Sequence, residues 1–469
     1  MESNNLSSFF TKEYITYLLI SNIIIILFSS IFTWVTYSPF DNIIKRITLN
    51  QKELKIGIIS DTQLPPEYYI KNDYYDTFVE HLDRTLRILN SQKIDILIVA
   101  GDISDQGATY SYNLFLSRFN HIFKNKKPIL NIIMGNHDYW SKEQESASKS
   151  QMKFHYAFKQ SPFSHKVING YHFIMWSHEN RYLDLTAASK IKWVKEQIEI
   201  ALKEDKNKPI FVITHMNPFD TVYGSIEWGN VNIKNVLSDY ENVISISGHS
   251  HFSLIDERSI WQGNFTAIQT QAIAYIELEK GKENGSVPKN EFGQNKPCIK
   301  NYMGLIMNVN DEKIEFNRIS FEKNEFYGNK WIIELPINKN NFRYTNLERE
   351  KKSVAPFWKK EQNKSINVKY MKNVQTNEIK SVLFFEQPFH ENFVHSYEIE
   401  LINLKDNSFG GKFLYFSDFY LMPEDREKII KLGICSYIKS GEYNIKITGI
   451  ESFGKKSEPI EGTIVVKNE

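Results

Sequence analysis

The stretch Ile132-Ile133-Met134-Gly135-Asn136-His137-Asp138 decides how this sequence is read. An apolar run with strand character stops at a glycine and delivers three polar side chains in succession. Burying unpartnered polar groups costs free energy. Asn136, His137 and Asp138 therefore belong at a strand's mouth, on a loop facing a site.

Four other segments follow the same plan. Residues 54–60 form an apolar run that ends in Asp61-Thr62-Gln63, and residues 94–100 end in Gly101-Asp102. Residues 209–214 end at His215, and 243–247 end in Gly248-His249-Ser250-His251. Between the runs lie stretches of helical period. Phe78, Leu82, Leu86 and Leu89 share one face, residues 112–123 form a second helix, and Ile191, Val194, Ile198 and Leu202 mark a third over 184–202. Strand alternating with helix predicts an α/β layered core. Polar groups at the carboxyl ends of strands are where open α/β sheets place ligands.

Collected, the strand ends offer Asp61, Gln63, Asp102, Asn136, His215, His249 and His251 as metal donors. They are oxygen and imidazole donors without sulfur, a set suited to Mn, Fe or Zn rather than a cysteine-type structural zinc. Glycine beside three of them lets the backbone turn sharply.

The order Asp61, Gly101-Asp102, Gly135-Asn136-His137-Asp138, His215 and Gly248-His249-Ser250-His251 resembles the calcineurin-like metallophosphoesterase family, over roughly residues 54–280. The resemblance implies a four-layer αββα sandwich and a phosphoesterase that hydrolyses a phosphomonoester, phosphodiester or diphosphate. It implies two divalent or trivalent metal ions, Mn, Fe or Zn, sharing Asp102. Asp61, Gln63, Asp102 and His251 would hold one ion; Asp102, Asn136, His215 and His249 the other. Water activated between the ions would attack phosphorus. His137 would stabilise or protonate the leaving oxygen, and Asp138 would orient His137. One departure stands out, since the family usually has Asp-x-His where this chain has Asp61-Thr62-Gln63. An amide oxygen is a harder, weaker donor than imidazole and favours Mn over Zn. The alternative is a non-catalytic metal- or ligand-binding scaffold that keeps the fold.

Three further residues are candidates for substrate contact. His178 follows the strand-like run 171–176, Tyr139 follows the Asn-His-Asp motif together with Trp140, and Arg258 follows His251. An arginine there suits a phosphate or a second anionic group. A phosphorylated small molecule or lipid is the expected substrate. With 57 Lys and Arg against 56 Asp and Glu, no global field points to nucleic acid. Cys298 and Cys435 match no metal-binding spacing and read as free thiols.

Length suggests more than one domain, at about 150 residues each. Residues 15–37 are apolar and uncharged, with Trp34 and Tyr37 near one end, so residues 1–40 read as a single-pass transmembrane anchor. A cleaved signal peptide is the rival reading. A lone apolar segment ahead of a large body favours an extracytoplasmic body. Residues 50–337 read as the catalytic domain, 338–354 as a polar linker and 355–469 as an all-β domain. Its segment Gly441-Glu442-Tyr443 through Ser457-Glu458-Pro459 resembles the closing strands of a fibronectin type III sandwich, a spacer or binding platform without catalytic groups.

Overall fold

Two sheets organise the first three quarters of the chain, and both are built from the apolar runs described above. The computed structural model describes residues 43–69, 73–142, 145–182, 187–362, 364–373 and 377–467. The expected anchor at 1–40 lies outside these residues. Among the described residues no helix is long and apolar enough to cross a membrane.

Among the described residues one sheet has six strands, ordered Glu325–Glu334, Lys313–Ser320, Met303–Val309, Leu54–Ile59, Ile96–Val99, Ile129–Ile132. The last three run parallel. The other has seven, ordered Ile44–Ile47, Phe163–Ile168, Tyr171–Trp176, Ile210–Thr214, Val243–Ser247, Thr266–Gln269, Ile260–Gln262. Its central strands are also parallel. Parallel strands with both faces covered read as continuous apolar runs. Ile56, Ile58, Ile96 and Ile98 from one sheet accordingly meet Phe173, Met175, Phe211, Ile213 and Ile246 from the other in a single core. On the far side of the six-stranded sheet, Leu82, Leu86, Phe115, Phe119 and Phe154 come from the helices Asp73–Ser91, Thr109–Ile122 and Ala147–Phe158. On the far side of the seven-stranded sheet, Trp193, Val194 and Ile198 of helix Ala188–Glu204 pack on Ile174, Ile210 and Val212. The layers are helices, sheet, sheet, helices.

The edge strand Ile44–Ile47, its neighbour Phe163–Ile168 and the helix Ala147–Phe158 were not legible in the sequence. Residues 338–354, expected to be a linker, are instead strapped to the catalytic sheet. Gln262 Oε1 accepts from the backbone N–H groups of Arg343 and Tyr344 at 3.0 and 3.2 Å. The buried Arg349 of helix Asn346–Lys352 donates to the Ile260 carbonyl at 2.8 Å. Composition reads as solvated here because most of the side chains are exposed, while the few bonds that tie the segment down are made to residues about 80 positions earlier.

The C-terminal part is all β. A three-stranded sheet, ordered Asn367–Lys372, Ile379–Glu386, Ile429–Gly433, faces a four-stranded one, ordered Phe409–Phe416, Ser396–Asn403, Gly441–Ile450, Ile460–Val466. Along Gly441–Ile450 Tyr443, Ile445 and Ile447 are buried while Glu442, Asn444 and Lys446 are exposed, the period of two that a half-buried strand requires. Phe393, Phe416, Phe419 and Met422 from this part join the central catalytic core. Neither cysteine is in a disulfide; Cys435 is buried, its sulfur 3.2 Å from the Tyr415 hydroxyl, and Cys298 is partly exposed.

Candidate metal centre

The seven donors expected from sequence leave their strands through tight turns at one end of the two sheets. Five of them occupy left-handed backbone conformations: Asp61 (φ 52°), Gln63 (41°), Asp102 (51°), His249 (72°) and His251 (58°). Such angles are uncommon outside glycine and cost on the order of 1 kcal/mol each. Neighbouring glycines let the loops touch. A Cβ at Gly135 would collide with the Asp102 carboxylate, and one at Gly248 with Ser60.

Asp102, His215 and His249 each present a ligand atom, all within 4.8 Å of one another. His215 Nε2 is the hub. It lies 3.3 Å from Asp102 Oδ2, 3.0 Å from Asn136 Oδ1, 3.2 Å from His249 Nδ1 and 3.9 Å from Asp61 Oδ1. Beside it His251 Nε2 lies 3.3 Å from Asp61 Oδ1, with the amide end of Gln63 at 3.5 Å. The donors thus form two adjoining groups around the paired carboxylates Asp61 and Asp102.

Backbone carbonyls set the imidazole tautomers. His215 Nδ1 faces the Ala100 oxygen at 2.8 Å and His251 Nδ1 the Tyr275 oxygen at 3.1 Å. A carbonyl only accepts, so Nδ1 carries hydrogen and Nε2 faces the cluster, where a cation would take the place of its proton.

The cluster as it stands is incompletely hydrogen-bonded. Asp61 Oδ1 is buried with no hydrogen-bond partner, and so is His249 Nε2. Burial raises and His251 and His215 lower the pKa of Asp61, with a net fall. Asp102 is likewise held below the usual carboxylate range, by His215 and His137 against the effect of burial. Burial lowers the pKa of His215, yet Asp102 and Asp61 override it and push it up to about 9. Two carboxylates, an amide oxygen and three inward-facing imidazoles, with one carboxylate oxygen orphaned, fit divalent cations. Their oxygen and nitrogen chemistry suits Mn, Fe or Zn.

His137 sits at the rim, its side chain 16% exposed and its Nε2 4.0 Å from Asp102 Oδ2. Its backbone N–H donates to Asp102 Oδ1 at 2.9 Å, which fixes the ring against the cluster. The residue that orients the ring is Asp105, not Asp138. His137 Nδ1 lies 3.2 Å from Asp105 Oδ1 and 3.1 Å from the Asp105 carbonyl oxygen. Asp105 Oδ2 in turn accepts from the Tyr75 hydroxyl at 2.8 Å. Asp102 and Asp105 raise the pKa of His137 to about 9 against the lowering effect of burial. Asp138 takes another role. Its carboxylate accepts from the backbone N–H groups of Gly135, Ser104 and Ile103 at 2.8, 3.0 and 3.3 Å, tying two site loops together. Burial and the nearby Asp102 push its pKa up to about 7. The signal missed in the sequence is the second aspartate of Gly101-Asp102-Ile103-Ser104-Asp105, three residues beyond the metal donor.

The three expected substrate contacts fare differently. Arg258 is turned away, into a buried ion network. Its Nε and Nη2 donate to Asp256 at 2.9 and 2.7 Å, Nη1 lies 3.7 Å from Glu279, and Nη2 lies 3.1 Å from His395 Nε2 in the C-terminal part. Tyr139 is 2% exposed and packs in the helix-side core, its hydroxyl donating to the His178 carbonyl at 2.7 Å. It supports a wall and presents nothing to a substrate. His178 lines a small cavity with His215, its Nε2 2.9 Å from the Tyr182 carbonyl oxygen. Burial and the charge of His215 hold its pKa down at about 4. Trp140 covers the His137 ring at 3.8 Å between centroids, and Trp228 meets the His249 ring edge-on at 5.8 Å.

Residues 54–253 match the family model of calcineurin-like phosphoesterases. No curated protein matches the chain. Among solved structures the chain is similar to a dimetal phosphatase from Danio rerio, at 10% identity over 60% of this chain and 98% of that one, with a TM-score of 0.42. It is similar to a purple acid phosphatase from yellow lupin (Lupinus luteus) seeds, at 10% identity over 61% of this chain and 54% of that one, TM-score 0.42. A phosphoesterase-like protein from Streptococcus pneumoniae aligns at 12% identity over 61% and 99%, TM-score 0.27. Sequence match and donor geometry cover the same residues, and the chain carries a calcineurin-like phosphoesterase domain.

Proposed function

We propose that this chain is a metal-dependent hydrolase of phosphomonoesters, phosphodiesters or diphosphates, with Mn the favoured metal. The observation that carries the reading is the orphaned Asp61 Oδ1, buried among His251, His215 and Asp102. An unsatisfied buried carboxylate oxygen calls for an explanation, and among inward-facing imidazoles and a second carboxylate a cation supplies it. Bound at the two donor groups, divalent cations would supply Lewis acidity toward phosphoryl oxygens and lower the pKa of water. The chain's own residues do the rest. The Ala100 and Tyr275 carbonyls keep Nε2 of His215 and His251 aimed inward. Asp105 holds a proton on His137 Nδ1, and the raised pKa keeps a second on Nε2, available to the departing oxygen.

The test is hydrolysis of 4-nitrophenyl phosphate and bis(4-nitrophenyl) phosphate by purified protein supplied with Mn. Asp102→Ala and His137→Ala should each lower kcat on the order of 10²–10³-fold. Metal uptake with no hydrolysis of either ester would favour the scaffold alternative.

Two finer readings belong with this one. We infer that the C-terminal part is fibronectin type III-like, from its three-plus-four strand order and the inward Tyr443. We infer that residues 15–37 anchor the chain in a membrane with the body outside the cytoplasm, from their uncharged apolar composition. Protease protection of intact cells checks the second, and full protection of the body would refute export.

A further inference from the structure

We propose, resting on the phosphoesterase and membrane-anchor readings above, that the metal face of this domain lies against a membrane surface and that its phosphoester substrate is a membrane-resident lipid.

The first support is where the described surface is apolar. Before residue 280, the large exposed apolar side chains gather on segments that leave the carboxyl ends of the strands, around the metal donors. Tyr68 (51% exposed) follows Gln63, Trp140 (40%) follows His137, Tyr182 (56%) follows His178, and Ile226 (71%) follows His215. Met152 and Tyr156, on helix Ala147–Phe158, are the exceptions, and Ile43 stands at the start of the first strand. Clustered exposed apolar groups mark an interaction surface.

The second is chemistry. The exposed rings at this face are Tyr68, Trp140 and Tyr182, and cations lie over two of them and over the partly buried Trp228. Lys142 Nζ is 5.1 Å from the Tyr68 ring centre, the Arg181 guanidinium 5.2 Å from that of Tyr182, and Lys280 Nζ 4.7 Å from that of Trp228. Amphipathic aromatics paired with Lys and Arg are what a bilayer interface with phosphate headgroups selects. Protein interfaces also favour tyrosine, tryptophan and arginine, and it is the path of the chain that selects the bilayer.

The third is the path of the chain. Strand Ile44–Ile47 runs parallel to Phe163–Ile168, which is antiparallel to Tyr171–Trp176. Its first residue, Ile44, pairs with His165, His165 with Ile174, and Ile174 with Val212, two residues short of Thr214. The chain therefore arrives at the metal end of the sheet and runs away from it. Three strand spacings, about 14 Å, separate this first strand from Ile210–Thr214. Only six residues, 38–43, join it to the apolar run 15–37. Their reach is about 20 Å at full extension. A membrane holding residues 15–37 would thus lie at the metal face, not at the opposite end, where Asn310-Asp311 turn between Met303–Val309 and Lys313–Ser320.

The experiment uses the full chain, carrying Cys298→Ser, reconstituted in phosphatidylcholine vesicles. An environment-sensitive dye is placed on Tyr68→Cys or on Asp311→Cys, and a spin-labelled phosphatidylcholine serves as quencher. The label at 68 should shift to shorter wavelength and be quenched several-fold more than the label at 311. Equal quenching overturns the inference, as does a blue shift at 68 without lipid quenching, which would mean cover by protein. The activity arm compares phosphatidic acid with glycerol 3-phosphate, and 4-nitrophenyl hexadecyl phosphate in vesicles with 4-nitrophenyl methyl phosphate in solution, all with Mn. The lipid form should be favoured about tenfold or more in kcat/KM, or about 1.4 kcal/mol. Tyr182→Ser combined with Ile226→Ser should remove that preference and keep soluble hydrolysis. Soluble esters cleaved without lipid preference overturn the inference and leave the phosphoesterase reading standing. No cleavage of any ester overturns both.

Discussion

Two buried charged clusters lie close together in this chain, and they are built on opposite principles. Around Asp256 every charge has a partner. The carboxylate takes the Arg258 side chain at two oxygens, the Arg258 backbone N–H at 2.9 Å and the Ser452 hydroxyl at 3.2 Å. Arg258 reaches on to His395, which receives the Tyr223 hydroxyl at 3.1 Å. Around Asp61 and Asp102 the reverse holds. Imidazole nitrogens sit 3.2 Å apart, a carboxylate oxygen is orphaned, and the backbone is left-handed at donor after donor. The paired cluster fastens the C-terminal part to the catalytic sheets; the unpaired one waits for a cation. Satisfaction of hydrogen bonds, not burial or charge, tells a structural network from a site.

The comparison breaks or sharpens on four measurements. Asp256→Ala takes the main partner from the Arg258 guanidinium, leaving it to Glu279 at 3.7 Å, and should cost about 2–3 kcal/mol in urea unfolding while Mn uptake persists. A loss confined to metal binding would mean that the two clusters had been assigned the wrong way round.

The acid limb should follow the same carboxylate. Burial pushes the Asp256 pKa up, but Arg258 outweighs burial and holds it at about 2, below the ordinary 3.8. A depressed folded-state pKa stabilises above the unfolded value and is lost as pH falls through the folded one. The stability gap between wild type and Asp256→Asn should therefore be full above pH 4 and shrink by about 2 kcal/mol as pH falls toward 2. A gap that does not change over that window would contradict the pairing.

Asp105→Asn leaves every metal donor in place but weakens the hold on the His137 ring. We expect kcat to fall about 10–100-fold with unchanged metal content by mass spectrometry. Asp138→Asn, by contrast, should act on loop rigidity and stability, and an equal kcat loss in both would blur the distinction drawn between them.

The smallest expected effect is the most diagnostic. In metal-stripped protein Asp61→Asn gives up the attraction of His251 and His215 but also the repulsion of Asp102 and the cost of a buried charge, and should change unfolding free energy by no more than about 1 kcal/mol. Adding Mn should raise Tm in wild type and not in the variant. A large loss of stability in the metal-free variant would show that Asp61 is already satisfied by the fold.

Much of this was legible in the linear chain, and the limits are physical. The strands that carry donors are buried on both faces, so their apolar runs stand out, and a polar residue at the end of such a run has one explanation. Asp61, Asp102, Asn136, His215, His249 and His251 could be picked without coordinates for that reason. Asp138 was misassigned because adjacency in sequence suggests contact, whereas His137 points across to the neighbouring loop and meets Asp105. Arg258 was misassigned in the same way. It follows His251 closely, but the chain turns at Asp256 and sends the guanidinium toward His395. The segment 338–354 looked solvated because its partners, Gln262 and Ile260, are some 80 residues earlier.

The sequence by itself determined which chemical groups are available and that they end buried strands, because hydrophobic period and donor type are local properties. The tertiary structure alone decided which aspartate holds His137, which arginine is spent on a domain contact, and that the first strand begins at the metal end of the sheet. Those outcomes depend on contacts between residues tens to hundreds of positions apart, and no local pattern encodes the direction in which a loop side chain turns.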